Sequence, residues 1–518
     1  MPSMYRLLRS LAFLLLVCVP APAAERPPNI VFFLVDDLGW ADVACYGSDF
    51  YETPNIDRLA GEGVRFTQAY AACHVCSPTR ASIMTGKYPA RLHLTDWLSG
   101  RRDFPFQKLK QAKIHQHLPL EETTLAEALK GHGYATGHFG KWHLGEDPHG
   151  PLQQGFDVQV PRWNKGWPRA GYHAPFKMDG LENKEGDYLT DRLTDEALNF
   201  IVEKKDKPFF LYLSHFAVHD PIHGRPDLVK KYRAKLAARD RSDGADFVLE
   251  GNPDDTEPLT KQKLAKLIKL PSHAGYSVLP QRTVKIKQQQ NNVEFAAMVE
   301  AMDESLGRVT AKLAELGIAD NTIVVFFSDN GGMSAGNFGN PKRSVPAAKL
   351  DVAFSTSNLP LRGAKGWLYE GGIRVPMIVK WPGVGKAGVV CDEPVISTDF
   401  YPALREMIGL PVSPDRTIDG RSFVPALKGK SFDRGAIYWH FPHYSNHGMQ
   451  SPGGAVRDGE WKLLEYFENG TVQLFNLKAD PGEQNDLAKT QPEKAAELRD
   501  KLHAWRREVG ARVTAPKG

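Results

Sequence analysis

The sequence predicts an α/β fold: a large mixed, mostly parallel central sheet flanked by helices, then a smaller C-terminal antiparallel sheet with one helix. Three observations lead there. First, NIVFFLVDD (29–37), KPFFLYLSHFAVHDP (207–221) and NTIVVFFSDNGG (321–332) share one form, an apolar strand ending in polar residues. Continuous apolar runs suit strands covered by helices on both faces. Second, Phe295, Met298, Val299, Met302, Leu306, Val309 and Leu313 repeat at helical spacing, with Gly317 as a stop. Third, the pattern changes after about residue 430 to short strands with Gly-rich connections: GAIYWHFP (435–442), GEWKLLEYF (459–467) and TVQLFNL (471–477). A helix from about Pro492 to Arg507 follows.

In chain order, residues 1–24 read as a secretory signal peptide. Arg6 and Arg9 precede the apolar run Leu11–Val19, and Ala21-Pro22-Ala23 supplies a small-residue cleavage site. A lipid anchor on Cys18 is disfavoured, because Val17 stands where a small residue is needed. No other apolar stretch is long enough to cross a membrane, so the mature chain is expected to be soluble and secreted or periplasmic. Residues 25–430 form the expected main domain, with VPMIVKWP (375–382) as a fourth strand. Within it, 222–290 is polar and Lys-rich and reads as an elaborated surface insertion. Residues 431–518 form the expected α+β subdomain.

The chain of 518 residues is 42% hydrophobic and 24% charged, which allows a large core and excludes disorder. Loss of the signal peptide leaves 63 basic and 61 acidic residues, so charge gives no case for nucleic acid. Four cysteines remain, Cys45, Cys73, Cys76 and Cys391, too few for a disulfide scaffold, although one bridge is open.

Ligands of parallel sheets gather beyond the carboxyl ends of the strands. Asp36, Asp37, His219, Asp329 and Asn330 are therefore expected to share one crevice. Adjacent acids alone more often cap a solvated turn. A second strand end carrying Asp-Asn-Gly-Gly shifts the balance toward a metal site, and hard oxygen donors suit Ca²⁺ or Mg²⁺ rather than zinc.

The stretch AACHVCSPTRASIMTG (71–86) holds Cys-His-Val-Cys. A haem anchor needs His after the second cysteine, where Ser77 stands. A structural zinc site needs a second ligand pair, and none is evident. A thioredoxin-like motif belongs in a smaller domain. Pro78 instead suits the first turn of a helix, which puts Cys76 at a helix N-terminus that favours an anion. Arg80 lies one turn on, facing the same side.

CSPTRASIMTG (76–86) and GYATGHFGKWHLG (133–145) resemble the two sulfatase signatures. The resemblance continues through LRGAKGWLYEGGIRVP (361–376) and AVRDGEWKLL (455–464), and is strongest to bacterial relatives of arylsulfatase A, of the alkaline phosphatase superfamily. His74 and Phe139 depart from the pattern only at the edges of the signatures. The resemblance implies that a maturation enzyme oxidises Cys76 to formylglycine, with Cys73 a bystander. It implies that Asp36, Asp37, Asp329 and Asn330 hold one Ca²⁺ or Mg²⁺, with an oxygen of formylglycine 76 nearby. Arg80 then orients the hydrated aldehyde, and Lys141 contacts aldehyde and sulfate. His143 takes a proton when sulfate is expelled. His219 and Lys365 bind sulfate oxygens and assist the leaving group. A hydrated aldehyde has two geminal hydroxyls, one to attack sulfur and one to expel sulfate, which a serine lacks. Lys141 and His143, two apart, are expected on one side of an extended segment.

Three function classes follow. The first is a sulfatase acting on sulfated carbohydrate or aryl esters. The second is a phosphate mono- or diester hydrolase of the same superfamily. The third is a non-catalytic binder of sulfated glycans with unmodified Cys76, disfavoured because a binder needs no nucleophile. HLTDWLSGRR (93–102) and WHFPHYSNHG (439–448) are Trp- and His-rich. Packing explains them slightly better than a sugar-binding wall in which Asp96 or His443 contacts hydroxyls. NGT (469–471) matches a glycosylation acceptor but means little if the source is bacterial.

Overall fold

A computed structural model describes residues 26–101, 103, 104, 106–240, 244–340, 342–410 and 416–517. The expected signal peptide lies outside the described residues. The main sheet contains β1 (Asn29–Val35), β2 (Val64–Tyr70), β3 (Ala135–Gly140), β4 (Val158–Val160), β5 (Phe209–Ser214), β6 (Thr322–Ser328), β7 (Arg374–Lys380), β8 (Val389–Cys391) and β9 (Val395–Ile396). Their order is β8-β2-β7-β6-β1-β5-β3-β4, with β9 also on β2. Strands β6, β1, β5, β3 and β4 run parallel, while β7 is antiparallel to both neighbours. The sheet is mixed and mostly parallel.

Alternation along β1 divides the core. Val31, Phe33 and Val35 enter one buried cluster, and Ile30, Phe32 and Leu34 enter another. Successive strand side chains point to opposite faces, so a run apolar at every position requires cover on both sides. Helices α1 (Pro54–Glu62), α2 (Leu189–Lys204), α3 (Pro226–Ala238) and α4 (Val293–Glu315) cover the first face. The apolar stripe of α4 is buried as its spacing requires, Asn292 caps its start, and Gly317 beyond its end has φ +67°. Helix α3 corrects the view of 222–290 as surface insertion: Leu228, Val229 and Tyr232 belong to the core. A Lys-rich helix hides three apolar residues on one face while the charges stay wet.

The C-terminal part forms the antiparallel sheet Ile437–Phe441, Gly453–Asp458, Trp461–Tyr466 and Val472–Asn476, followed by a helix at Pro492–Glu508. Residues 431–436, at the expected boundary, carry no regular element. This sheet shares one apolar cluster with the main domain: Trp439, Leu464 and Trp505 pack with Tyr70, Trp367 and Tyr369. A buried ion cluster lies at the same joint. Lys462 Nζ sits 2.9 Å from Glu370 and 2.8 Å from Glu483, and all three side chains are fully buried. All four cysteines are free, so the open possibility of a bridge is not realised.

Candidate active site

Strand register builds the site. Leu34 and Gly140 both pair with Ser214, and Val35 pairs with Ser328. The residues that follow, Asp36, Lys141, His215 and Asp329, therefore leave the sheet at one level. Gly140 is required there: φ is +103°, and a Cβ would meet the Ser214 carbonyl oxygen at 2.0 Å. Lys141 N–H donates to that carbonyl at 2.7 Å, which keeps the two strand ends together. Cys76 is the first residue of a helix, Cys76–Thr85, whose Gly86 cap has φ +71°.

Three carboxylates and three bases meet in this space. Lys141 Nζ donates to Asp36 Oδ2 at 2.5 Å. Lys365 Nζ donates to Asp37 Oδ2 at 2.8 Å, and Asn330 Nδ2 to Asp37 Oδ1 at 2.8 Å. Arg80 Nε donates to Asp329 Oδ2 at 2.9 Å, and its Nη1 to the Lys141 carbonyl at 2.8 Å and Ser214 Oγ at 2.5 Å. Asp36, Asp37, Arg80, Lys141, Asp329 and Lys365 are all buried. Burial works most strongly against the charge on Asp37, yet Lys365, His219 and Lys141 together hold it well below the usual carboxylate range. Burial, with repulsion from Asp36, pushes Asp329 up to about 6 against the pull of Arg80 and Lys141.

Donor atoms of Asp36, Asp37, Cys76 and His219 lie within 4.8 Å of one another. Two buried oxygens, Asp36 Oδ1 and Asn330 Oδ1, have no hydrogen-bond partner. An unsatisfied buried acceptor costs about 1–3 kcal/mol, so two at the ends of neighbouring strands point to a ligand. Their chemistry fits a hard divalent cation. Asp329, expected as a ligand, is not in that set of donor atoms; its carboxylate accepts from Arg80 and from the Asp37 N–H.

The two catalytic-candidate histidines are held in different states. His143 Nε2 lies 2.6 Å from the Leu98 carbonyl, and Nδ1 is buried without a partner. A carbonyl only accepts, so Nε2 carries hydrogen and Nδ1 offers a lone pair. Burial, then Lys141, keeps this ring well below its ordinary pKa. His219 Nδ1 faces the Asp220 carbonyl at 2.7 Å and its carboxylate at 2.9 Å, leaving Nε2 toward Asp37 at 3.7 Å. Burial is the strongest influence and opposes its charge, but Asp37, Asp36 and Asp220 prevail and hold it well above the ordinary value. Cys76 Sγ lies 3.8 Å from Lys365 Nζ.

The family model described as Sulfatase matches residues 28–410. The chain belongs to the sulfatase family. It is a sulfuric ester hydrolase. A second model, N-sulphoglucosamine sulphohydrolase C-terminal, matches residues 364–508. Steryl-sulfatase of Mus musculus is 29% identical, over 97% of this chain and 86% of its own. N-acetylgalactosamine-6-sulfatase of Sus scrofa is 31% identical, over 80% of this chain and 69% of its own. Among solved structures, Ps i-CgsB matches with a TM-score of 0.68 at 28% identity, covering 93% of each chain.

Three sequence expectations for this sulfatase need refinement. Lys141 and His143 do not alternate along an extended segment. Strand β3 ends at Gly140 and His143 adopts the left-handed φ of +58°, so the ammonium of Lys141 goes to Asp36 and the imidazole of His143 to the Leu98 carbonyl. Arg80 donates from Nε and Nη1 to Asp329, Ser214 and the Lys141 carbonyl, so it also positions one carboxylate and two strand ends, while Nη2 is buried without a hydrogen-bond partner. Asp96 and His443 do not line a sugar wall: Asp96 pairs with Arg101 at 2.9 Å, and His443 with Thr95 Oγ1 at 2.9 Å, both buried. Packing is the correct account of those two residues.

Sequence reasoning missed Asp220 and His447. Asp220 directly follows His219, and that adjacency was the available signal. His447 lies in the flagged segment 439–448, four residues beyond the one chosen there. It is buried with neither ring nitrogen partnered. Burial, then Lys365, holds its pKa well below the ordinary value, with Asp37 and Asp220 opposing.

Proposed function

We propose that this protein is an exported sulfatase that removes sulfate from carbohydrate esters, using formylglycine made from Cys76 and one Ca²⁺ or Mg²⁺. The observation that carries the reading is the buried, charge-balanced cage beside Cys76, with two unpartnered oxygens, Asp36 Oδ1 and Asn330 Oδ1. Asp36, Asp37, Asp329 and Asn330 would hold that ion. When present, the ion and the hydrated aldehyde supply charge withdrawal from sulfate and an attacking oxygen.

The chain's own residues do the rest. Lys141 and Lys365 carry ammonium groups at the cage wall and hold the sulfate charge. His219, oriented by Asp220, presents Nε2 and gives a proton to the departing sugar oxygen. His143 accepts a proton at Nδ1, which no other group occupies. Cys76 is 3% exposed, so its oxidation by a maturation enzyme takes place before the chain has folded. The carbohydrate assignment is supported by the names of the N-acetylgalactosamine-6-sulfatase relative and of the C-terminal family model. Export rests on the N-terminal sequence.

Peptide mass spectrometry of the active protein should find residue 76 as aldehyde or its hydrate, and Cys76→Ala should lose several orders of magnitude in rate. Sulfate release should be measured on sulfated saccharides, a steryl sulfate, nitrophenyl sulfate and a phosphodiester. Turnover of the steryl ester or phosphodiester above every saccharide would refute the substrate reading. Full activity with Cys76 wholly a free thiol would refute the nucleophile.

A further inference from the structure

A cavity of about 290 Å³ opens beside His143, and nothing assigned so far uses it. Trp97, Trp163, Trp167, Asn164, Lys165 and Arg169 are among its lining residues. Its volume is at the lower edge of small-molecule sites, room for a single ring rather than a chain. Trp97 Nε1 already donates to Asn446 at 3.1 Å, and Trp163 Nε1 to the Trp167 carbonyl at 2.9 Å. These bonds fix two indoles by their edges and leave ring surface for contact. Trp167 is 42% exposed, a large apolar area to leave in water.

The charges there do not cancel. Lys165 pairs with Glu146, which also lines the cavity. Arg169 has no carboxylate partner among the described residues. One guanidinium thus stands uncompensated in the lining of an aromatic cleft that also contains a candidate catalytic histidine.

We infer that this cavity is a subsite for a second sugar ring bearing an anionic substituent, next to the ring that carries the scissile sulfate. The indoles stack on the apolar face of that ring. Arg169 binds a carboxylate or sulfate on it, and the planar fork of a guanidinium matches either. The inference rests on the sulfatase reading and adds to it: the preferred substrate is an acidic oligosaccharide, not a monosaccharide or an aryl ester. The insertion 222–290 does not line this cavity, so substrate choice lies in the loops around residues 97 and 163–169.

The test uses matured full-length enzyme and four substrates: a sulfated monosaccharide, and disaccharides whose second ring is neutral, a uronate, or itself sulfated. The expected order of kcat/KM puts at least one acidic disaccharide above the neutral one and the monosaccharide last. Arg169→Ala should cut the acidic-to-neutral ratio roughly tenfold or more, the size of a charge-assisted hydrogen bond. Trp167→Ala should lower the disaccharide-to-monosaccharide ratio. The uronate and sulfate arms tell which anion the site takes. Equal kcat/KM for all four, or ratios unmoved by both substitutions, would overturn the subsite while leaving the sulfatase reading intact. No sulfate release from any saccharide would overturn the reading beneath it.

Discussion

Divalent metal and sulfate should bind this protein synergistically. The formal charges of the cage are three carboxylates, Asp36, Asp37 and Asp329, against three bases, Arg80, Lys141 and Lys365, with charged His219 matched by its neighbour Asp220. The set is neutral and buried. A divalent cation alone adds two positive charges among buried side chains, and uncompensated buried charge is costly. A sulfate dianion alone adds two negative charges at the same cost. Together they restore neutrality, and Lys141 and Lys365 gain a second oxyanion to share with Asp36 and Asp37. Coupling between two sites is typically about 1–3 kcal/mol, or roughly five- to 150-fold in affinity, and this juxtaposition calls for the upper part of that range. The assay is calorimetric titration of Ca²⁺ or Mg²⁺ into the Cys76→Ala protein, with and without sulfate, at matched ionic strength and with free ion corrected for pairing in solution. The reverse titration must give the same factor, because linkage is reciprocal. Ion affinity unchanged or weakened by sulfate would refute the charge count, and with it the roles given to Lys141 and Lys365.

Three further outcomes are expected. His219→Ala should harm saccharide turnover far more than nitrophenyl sulfate turnover, because a sugar alkoxide needs a proton that a nitrophenolate does not; equal losses on both would remove His219 from leaving-group assistance. Lys462→Met should cost about 3–5 kcal/mol of stability, since it strands Glu370 and Glu483 together in the joint, and a denaturant melt shows it. The same variant should recover stability in mild acid: burial with Glu370 nearby already pushes Glu483 up to about 7, and without Lys462 its folded pKa rises further. A raised folded pKa gives stability that is present below the unfolded value and lost as pH rises through the folded one. A pH-independent defect would contradict this.

The sheet and its acids were legible in the sequence because the physics is local and repetitive. A strand apolar at every position must be covered twice, and a polar residue ending such a strand must sit at the carboxyl edge. Asp36, Asp37, Asp329 and Asn330 follow from that alone. Arg80 was placed on the Cys76 side of its helix by spacing, but its role, like those of Lys141 and Lys365, was legible only through resemblance, since a basic residue in isolation is normally solvated. Loops defeated the reading for a third reason. A left-handed residue at His143 broke the alternation assumed for it, and of the loop 443–449 Met449 packs in the apolar cluster that joins the C-terminal sheet to the main domain. Periodicity does not encode where such a loop lands. That is why His443 attracted attention while His447 is the ring near Lys365. It is also why the tryptophans beside His143 could be counted in the sequence but not assembled. The chemistry common to the family is written at strand ends, and the features that choose a substrate are written in loops whose partners are set by long-range packing.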